Sequence, residues 1–410
     1  MIFGASGSQG LASPDRHHFK SGMTVNTSPK PRLLFLVTES SYFASHKMEL
    51  AAAAVEAGFE VTVAARCNDP NMFAGAAFKV IPLAWKRTGS ILAAMGALFA
   101  DLLRVRKVIA QAKPDVVHNI SLKPAIIGSI AVLGHKTKVI NSINGFGYVF
   151  FAQSALAKAV QVGCGMILRL ATKQNAARIV LQNRDDASYA RESMGIDGEY
   201  VRLIRGSGID AQHFNPQPEL KGSPIRFLIL ARLLNMKGIA VAIAAFDLLR
   251  ERDVEAELVV CGSPDPGNPS SISESLIEGW SSKPHVTFKG QLDDVRPAIE
   301  SCHVVMLPAL GGEGLPRALL EGAAMGRPLL ATDIGGNREI VVPWETGMLV
   351  KPDDPDALAG AIAHMAKHPD DRARWGKAAR EKVLGEFSSE LIRTQHVALY
   401  REFIANSEGR

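Results

Sequence analysis

Two glutamates separated by seven residues, in Glu313-Gly-Leu-Pro-Arg-Ala-Leu-Leu-Glu321, form the most specific chemical pattern in the chain. Gly311 and Gly312 precede them as a loop, and Pro316 suits the first turn of a helix. The spacing predicts a helix over 313–325 with Glu313 at its positive N-terminus, beside exposed backbone N–H groups. Glu321 would lie on the same face, about 12 Å along the axis. One carboxylate can then hold a sugar while the other holds the ribose of the same nucleotide. A capped helix with one surface glutamate is the plainer alternative, and a bare pair at this spacing would favour it.

A second cluster shares that half of the chain. Arg232-Leu-Leu-Asn-Met-Lys237-Gly238 follows an apolar run at 227–230. A strand end followed by two cations and a helix start can hold a diphosphate without a metal. Alone, Arg232 and Lys237 read as solvated surface charges; their weight comes from the glutamates. A third stretch, Ala331-Thr-Asp333-Ile-Gly335-Gly336-Asn337-Arg338-Glu339, is a glycine turn after a buried strand, where backbone can approach a ligand closely. A plain strand–turn–helix connection describes it equally well. Asp354-Pro-Asp356 has the letters of a metal motif, yet Asp before Pro and Ala-Leu-Ala is a helix N-cap with proline in the first turn, and is read as structural.

These groups need elements to hold them. Apolar runs at 33–37, 61–65, 115–118, 138–143 and 178–182 read as buried strands. They alternate with helices at 47–57 (after a loop over 38–45), 90–112, 125–133 and 155–173. After Arg205-Gly-Ser-Gly-Ile-Asp210 the composition becomes that of a linker, and the pattern restarts with strands at 225–230, 257–261, 286–288, 304–307, 328–331 and 347–350. Helices are expected at 238–249, 313–325, 355–367, 370–385 and 387–406. The expectation is an α/β chain with two Rossmann-like, doubly wound parallel sheets facing a cleft. Domain bounds of 31–205 and 206–385 follow, with a last helix in 386–410 returning to the first domain.

The 410 residues suffice for two such domains, and 47% hydrophobic content lets both bury a core. The formal charge of +5 is too small to argue for nucleic acid; it suits phosphates or an anionic membrane face, or signifies only solubility. Cys67, Cys164, Cys261 and Cys302 are widely spaced and suggest neither a zinc site nor a disulfide framework, so a reducing cytoplasm is expected. No uncharged apolar run reaches the roughly 18 residues of a membrane span, so any membrane contact is expected to be peripheral. Gly4-Ala-Ser-Gly7-Ser-Gln-Gly10 resembles a dinucleotide loop but lacks the strand before it and the helix after it. Residues 1–30 are read as a disordered extension, with Met23 an alternative start.

Together these motifs resemble the retaining family-four glycosyltransferases of GT-B fold, in that family's order across 225–345. The branch that makes bacterial capsular polysaccharide and O-antigen is most similar. In the first half the resemblance rests on Phe43-Ala-Ser-His46-Lys47, His118-Asn-Ile-Ser-Leu-Lys123-Pro124, Asn144-Gly-Phe-Gly-Tyr-Val-Phe150 and Gln182-Asn-Arg-Asp-Asp186. Gly206-Ser-Gly-Ile-Asp210 with Phe214 resembles the interdomain segment. The chain departs at Glu39-Ser-Ser41, where many relatives carry a Gly-Gly loop, and at Ile120, where many carry a second histidine.

The resemblance implies that Arg232 and Lys237 bind the donor diphosphate, Glu313 the sugar and Glu321 the ribose, with Gly312, Gly314, Leu315 and Pro316 around them. It puts His46, His118, Lys123 and Asn144 on the acceptor side, where core or surface roles for the two histidines stay open. It implies a nucleotide-sugar donor, with UDP first, no metal or other cofactor, and a polyprenyl-diphosphate-linked saccharide acceptor at the inner membrane leaflet. Segments 85–107 (Trp85, Lys86, Arg87, Arg104, Arg106, Lys107) and 149–173 (Phe150, Phe151, Lys158, Met166, Arg169, Leu170, Lys173) could dock there, or could be helices packed on the sheet. The rival readings are a GT-B-like sugar-nucleotide epimerase, a catalytically degenerate binding module and, last, a nicotinamide dehydrogenase.

Overall fold

Contiguous apolar runs form the centre of two parallel sheets. A computed structural model describes residues 29–408 except 68, 86–90, 147–153 and 269. The glycine loop at 4–10, the alternative start Met23, Lys86, Arg87, Tyr148, Phe150 and Phe151 lie outside the described residues. Both sheets belong to the unit of residues 31–410.

The first sheet takes β1 (Arg32–Glu39), β2 (Glu60–Arg66), β3 (Lys79–Pro82), β4 (Val116–Ile120), β5 (Lys138–Ile143), β6 (Arg178–Leu181) and β7 (Val201–Leu203). Their order is β3-β2-β1-β4-β5-β6-β7, all parallel. The second sheet takes β8 (Ile225–Leu230), β9 (Ala256–Cys261), β10 (Val286–Phe288), β11 (Val304–Leu307), β12 (Leu329–Thr332) and β13 (Gly347–Val350). Its order is β10-β9-β8-β11-β12-β13, again parallel. Each order reverses beside its first strand, between β1 and β4 and between β8 and β11, where such sheets bind ligands beyond the strand C-termini.

Alternation places both faces of each strand in a core. Leu33, Phe35 and Val37 join one apolar cluster, and Leu34 and Leu36 join the opposite one. Burying each such side chain contributes about 1.5–3 kcal/mol. Helices cover the faces: α1 (Ser40–Glu56), α2 (Ile91–Ala112), α3 (Leu122–Ala131), α4 (Ala155–Asn175) and α5 (Arg184–Glu192) in the first half. The second half has α6 (Ile239–Glu251), α7 (Glu274–Ser281), α8 (Arg296–Glu300), α9 (Arg317–Ala324), α10 (Gly335–Ile340), α11 (Pro355–Lys367) and α12 (Pro369–Glu386). The last helix, α13 (Ser389–Glu408), returns to lay Ile392, Leu399, Tyr400 and Phe403 into the first sheet's core.

Two expectations change. No loop separates β1 from the helix after it, because α1 begins at Ser40. Phe43, Lys47 and Leu50 already carry the helical period, and all three are buried. The helix expected over 313–325 begins only at Arg317, with extended Pro316 as its N-cap residue. Proline disfavours helical backbone in the residue before it, so Glu313 sits in the preceding loop and shares no helical face with Glu321. The glycine stretch after β12 takes the strand–turn–helix form, with a short helix, α10, opening at Gly335.

Candidate active site

Lys237 and Glu313 meet at the C-terminal edge of the second sheet. Lys237 ends a single 3-10 turn, Asn235–Lys237, and Gly238 follows at φ 71°. A Cβ on Gly238 would lie 1.8 Å from the Pro308 carbonyl oxygen, so only glycine lets this turn pack against the end of β11. The turn delivers the Lys237 ammonium to the Glu313 carboxylate in an ion pair. Only 13% of the Glu313 side chain is exposed, so the pair is screened less than a surface one.

Arg232 and Glu321 line a second space. A cavity of about 500 Å³ is walled by Arg232, Gly262, Asp265, Arg317 and Glu321. Arg232 is held by Asp265 at 2.9 Å with 60% of its side chain exposed, leaving donor groups open to the cavity. Burial raises the Glu321 carboxyl above its ordinary value, and Arg317, at 2.7 Å, pulls against that rise. The two glutamates therefore serve neighbouring spaces, since Glu313 with Gly311 and Gly312 lines another cavity of about 340 Å³. Leu315 packs against the second-sheet core, Pro316 is buried, and Gly314 lies close against the first half. A Cβ on Gly314 would fall 1.9 Å from the Asn144 carbonyl oxygen.

The acceptor-side candidates separate. Asn144 lies at the cleft: its amide donates to the Tyr42 hydroxyl at 2.7 Å and accepts from Gln182 at 2.8 Å. His46 stacks on Tyr42 with centroids 4.2 Å apart and borders a further cavity of about 310 Å³. Burial, with Arg317 and Lys47 nearby, lowers the His46 pKa to about 4. His118 is fully buried in β4, bonded to the Tyr400 hydroxyl at 2.8 Å and to Ser142 at 2.6 Å, and burial holds it neutral. Lys123 pairs with buried Asp101 at 2.8 Å and lies 5.0 Å from the Trp85 ring centroid. The structure thus pairs Lys237 with Glu313, brings Arg232 and Glu321 to one cavity of the second half, sets Asn144 against Gly314, and gives His118 and Lys123 partners in the first domain.

Sequence reasoning assigned no role to two residues that join the halves. Arg317 also donates to the Ser45 carbonyl at 2.6 Å. Its signal was the i,i+4 spacing to Glu321. Asn183 caps α5 and donates to the Gly314 carbonyl at 2.8 Å. Its signal was an N-cap residue beyond a buried strand. By contrast Asp354 is the cap of α11, accepting from the Ala357 N–H at 2.9 Å.

Comparison with known proteins identifies the family and the fold. Residues 32–183 match the family described as glycosyl transferase 4-like, and residues 210–382 match glycosyl transferases group 1. The chain belongs to these glycosyltransferases. The putative colanic acid glycosyltransferase WcaL of Escherichia coli is 30% identical over 217 residues, 51% of this chain and 52% of that protein. The chain thus spans about half the length of this curated relative. An Escherichia coli UDP-Gal:α-D-GlcNAc-diphosphoundecaprenol α-1,3-galactosyltransferase is 24% identical over 301 residues, 70% of this chain and 75% of the other. Anabaena HepE, solved with UDP and glucose, superposes with a TM-score of 0.71 at 15% identity, covering 90% of this chain and 99% of its own. Likeness at that identity establishes the GT-B fold.

Proposed function

We propose that the chain transfers a sugar, with retention, from a UDP-sugar to a hydroxyl of a lipid-linked saccharide during bacterial surface-polysaccharide synthesis. The observation that carries this reading is the ion pair of Lys237 with Glu313, together with a cavity lined by Arg232 and Glu321. Two cations suit a diphosphate, and a carboxylate at each end suits hydroxyls of the sugar and the ribose. The glycosidic C–O bond to the diphosphate breaks, and the acceptor oxygen bonds to the same face of the anomeric carbon. The acceptor's proton passes to the departing diphosphate oxygen, so no strong general base is required. Arg232 and Lys237 stabilise the charge that grows on that leaving group, the role a metal ion fills elsewhere. The reading also draws on the UDP in HepE and the diphosphoundecaprenol acceptor of the galactosyltransferase relative.

Peripheral contact with the inner face of the cytoplasmic membrane belongs to the same proposal. Helix α2 exposes Phe99 and Leu103 beside Arg106 and Lys107, and α4 exposes Val162 and Met166 near Lys158, Arg169 and Lys173. Both helices pack on α3. Helix α4 is long and apolar enough to cross a membrane by length and composition alone, but its Leu168 and Ala171 are buried in the first domain. An apolar, basic surface of this kind suits an anionic bilayer.

The test is a thermal-shift screen against UDP, GDP, ADP, NAD and UDP-sugars, with and without EDTA. Stabilisation by UDP that survives EDTA is expected. No shift, or a shift with NAD alone, would end the transferase reading. Flotation with phosphatidylglycerol vesicles but not with phosphatidylcholine ones tests the membrane contact.

A further inference from the structure

The cavity beside Glu313 has a second wall that the donor does not account for. Its space of about 340 Å³ lies in the size range of small-ligand pockets, about 300–1,000 Å³. The second half supplies Glu313, Asp333 and Arg338, and the first half supplies Phe146, Asp186 and Tyr189. The charges are unevenly matched. Arg338 holds Asp333 at 2.5 Å and Asp185 at 2.6 Å, while Glu313 is paired with Lys237.

Asp186 takes no ion pair among the described residues. The Asn183 amide donates to its carboxylate at 2.9 Å and also donates to the Gly314 carbonyl, which fixes Asp186 relative to the Glu313 loop. Burial, with Asp185 adding to it, raises the Asp186 pKa to about 6. The rings of Phe146 and Tyr189 stand 5.4 Å apart in an edge-on pair on the same wall. An excess of carboxylate repels phosphate. What such a wall suits is a neutral ring with hydroxyls for the carboxylate and an apolar C–H face for the aromatics.

We propose that this cavity seats a neutral sugar ring of the acceptor saccharide, with Asp186 accepting hydrogen bonds from its hydroxyls and Phe146 and Tyr189 supporting its apolar face. The proposal rests on the transferase reading above and adds the residues that select the acceptor. The donor sugar has the same chemistry, but Arg232 and Glu321, assigned to its diphosphate and ribose, line the other cavity of about 500 Å³.

The experiment is saturation-transfer NMR of the UDP-loaded protein with methyl glycosides of glucose, galactose, mannose and N-acetylglucosamine, alongside calorimetric UDP binding. At least one glycoside should receive saturation from the wild type. Losing a hydrogen bond to a charged group should weaken that glycoside about tenfold or more in Asp186→Ala. Tyr189→Ala should weaken it as well, with the UDP Kd unchanged in both variants. Asp186→Asn, which keeps the size of the side chain, and Tyr189→Phe, which keeps the ring, guard against misfolding; the second should retain binding. Absence of glycoside binding to the wild type, or undiminished binding to both alanine variants, overturns the subsite. Joint loss of glycoside and UDP binding by folded variants assigns the cavity to the donor and overturns it too. If the wild type binds a glycoside but not UDP, the donor reading fails while the subsite is judged by the variants alone.

Discussion

The two halves share one architecture but place their polar residues differently. In the first sheet, His118 and Asn119 lie within β4, in register with Phe35 and Leu36 of β1, and are fully buried. In the second sheet, Arg232 and Lys237 come after β8 ends, and Glu313 comes after β11 ends. A polar group inside a central parallel strand has to find partners in the core. One just beyond the strand's C-terminus stands where a ligand can reach it. His118 finds Tyr400 and Ser142, whereas Lys237 finds Glu313 between two loops beyond the strand ends.

The largest expected effect falls on the cleft side of that comparison. Glu313→Ala, Lys237→Ala and Arg232→Ala should each lower the transfer rate about 10²–10³-fold, the effect of removing one charge-stabilising contact. Their unfolding midpoints should stay near the wild-type value. Steady-state kinetics and circular dichroism check this, and near-normal turnover would remove the donor-site assignment.

His118 gives the converse. His118→Ala leaves Tyr400 and Ser142 without their shared partner and opens a cavity between β4 and α13. A loss of about 3 kcal/mol in urea unfolding is expected. UDP affinity should not move. Reduced transfer at unchanged stability would return His118 to the reaction and dissolve the contrast between the halves.

Acid should weaken the first half more than the second, because three histidines with strongly lowered pKa stand there, against His285 and His303, which burial also lowers, in the second. Burial lowers the pKa of His396 to about 3 and that of His46 to about 4, and holds His118 well below its ordinary value. The unfolded chain takes up protons on these histidines as pH falls through about 6.5, and the folded chain does not. Stability they contribute is complete above pH about 6.5 and is lost as pH drops toward about 4. Asp186 acts in the opposite direction: its raised pKa lets the folded state bind a proton first as pH falls through about 6. Hydrogen exchange at pH 7 and pH 5 should show protection falling more in α1, β4 and α13 than in β8 and β11. Equal loss in both sheets would refute the assignment.

Much of this was legible in the primary structure, and the misses have physical causes. Strands β5, β8, β10, β11 and β13 lie where their apolar runs do, because parallel strands buried on both faces need continuous apolar side chains. The β1–α1 junction was missed because Ser-Ser-Tyr has turn composition while Phe43, Lys47 and Leu50 already face the core. Lys47 could not be foreseen as buried: its ammonium meets the Gly206 carbonyl at 3.3 Å, and burial lowers its pKa to about 8. Glu313 was placed on a helix, since the reach of Pro316 into the preceding turn was underweighted. Arg317 and Asn183 do their work through contacts across the cleft, which no spacing along one half reveals.

The smallest effect tests a residue pair that looks chemical and is placed as structure. Asp354 accepts the Ala357 N–H at the start of α11, and Pro355 fills the first turn, where a missing N–H costs nothing. Asp356 pairs with Arg252 at 2.8 Å. Asp354→Ala should therefore cost about 1 kcal/mol of stability through the lost cap. Asp354→Asn, which can still cap, should recover most of that loss. Neither change should alter UDP binding or its response to EDTA. If Asp354→Asn instead abolished a manganese-dependent activity, the pair would be metal ligands. The diphosphate would then be held by a metal as well as by Arg232 and Lys237, and the division between structural and cleft-facing charges would have to be redrawn from this pair outward.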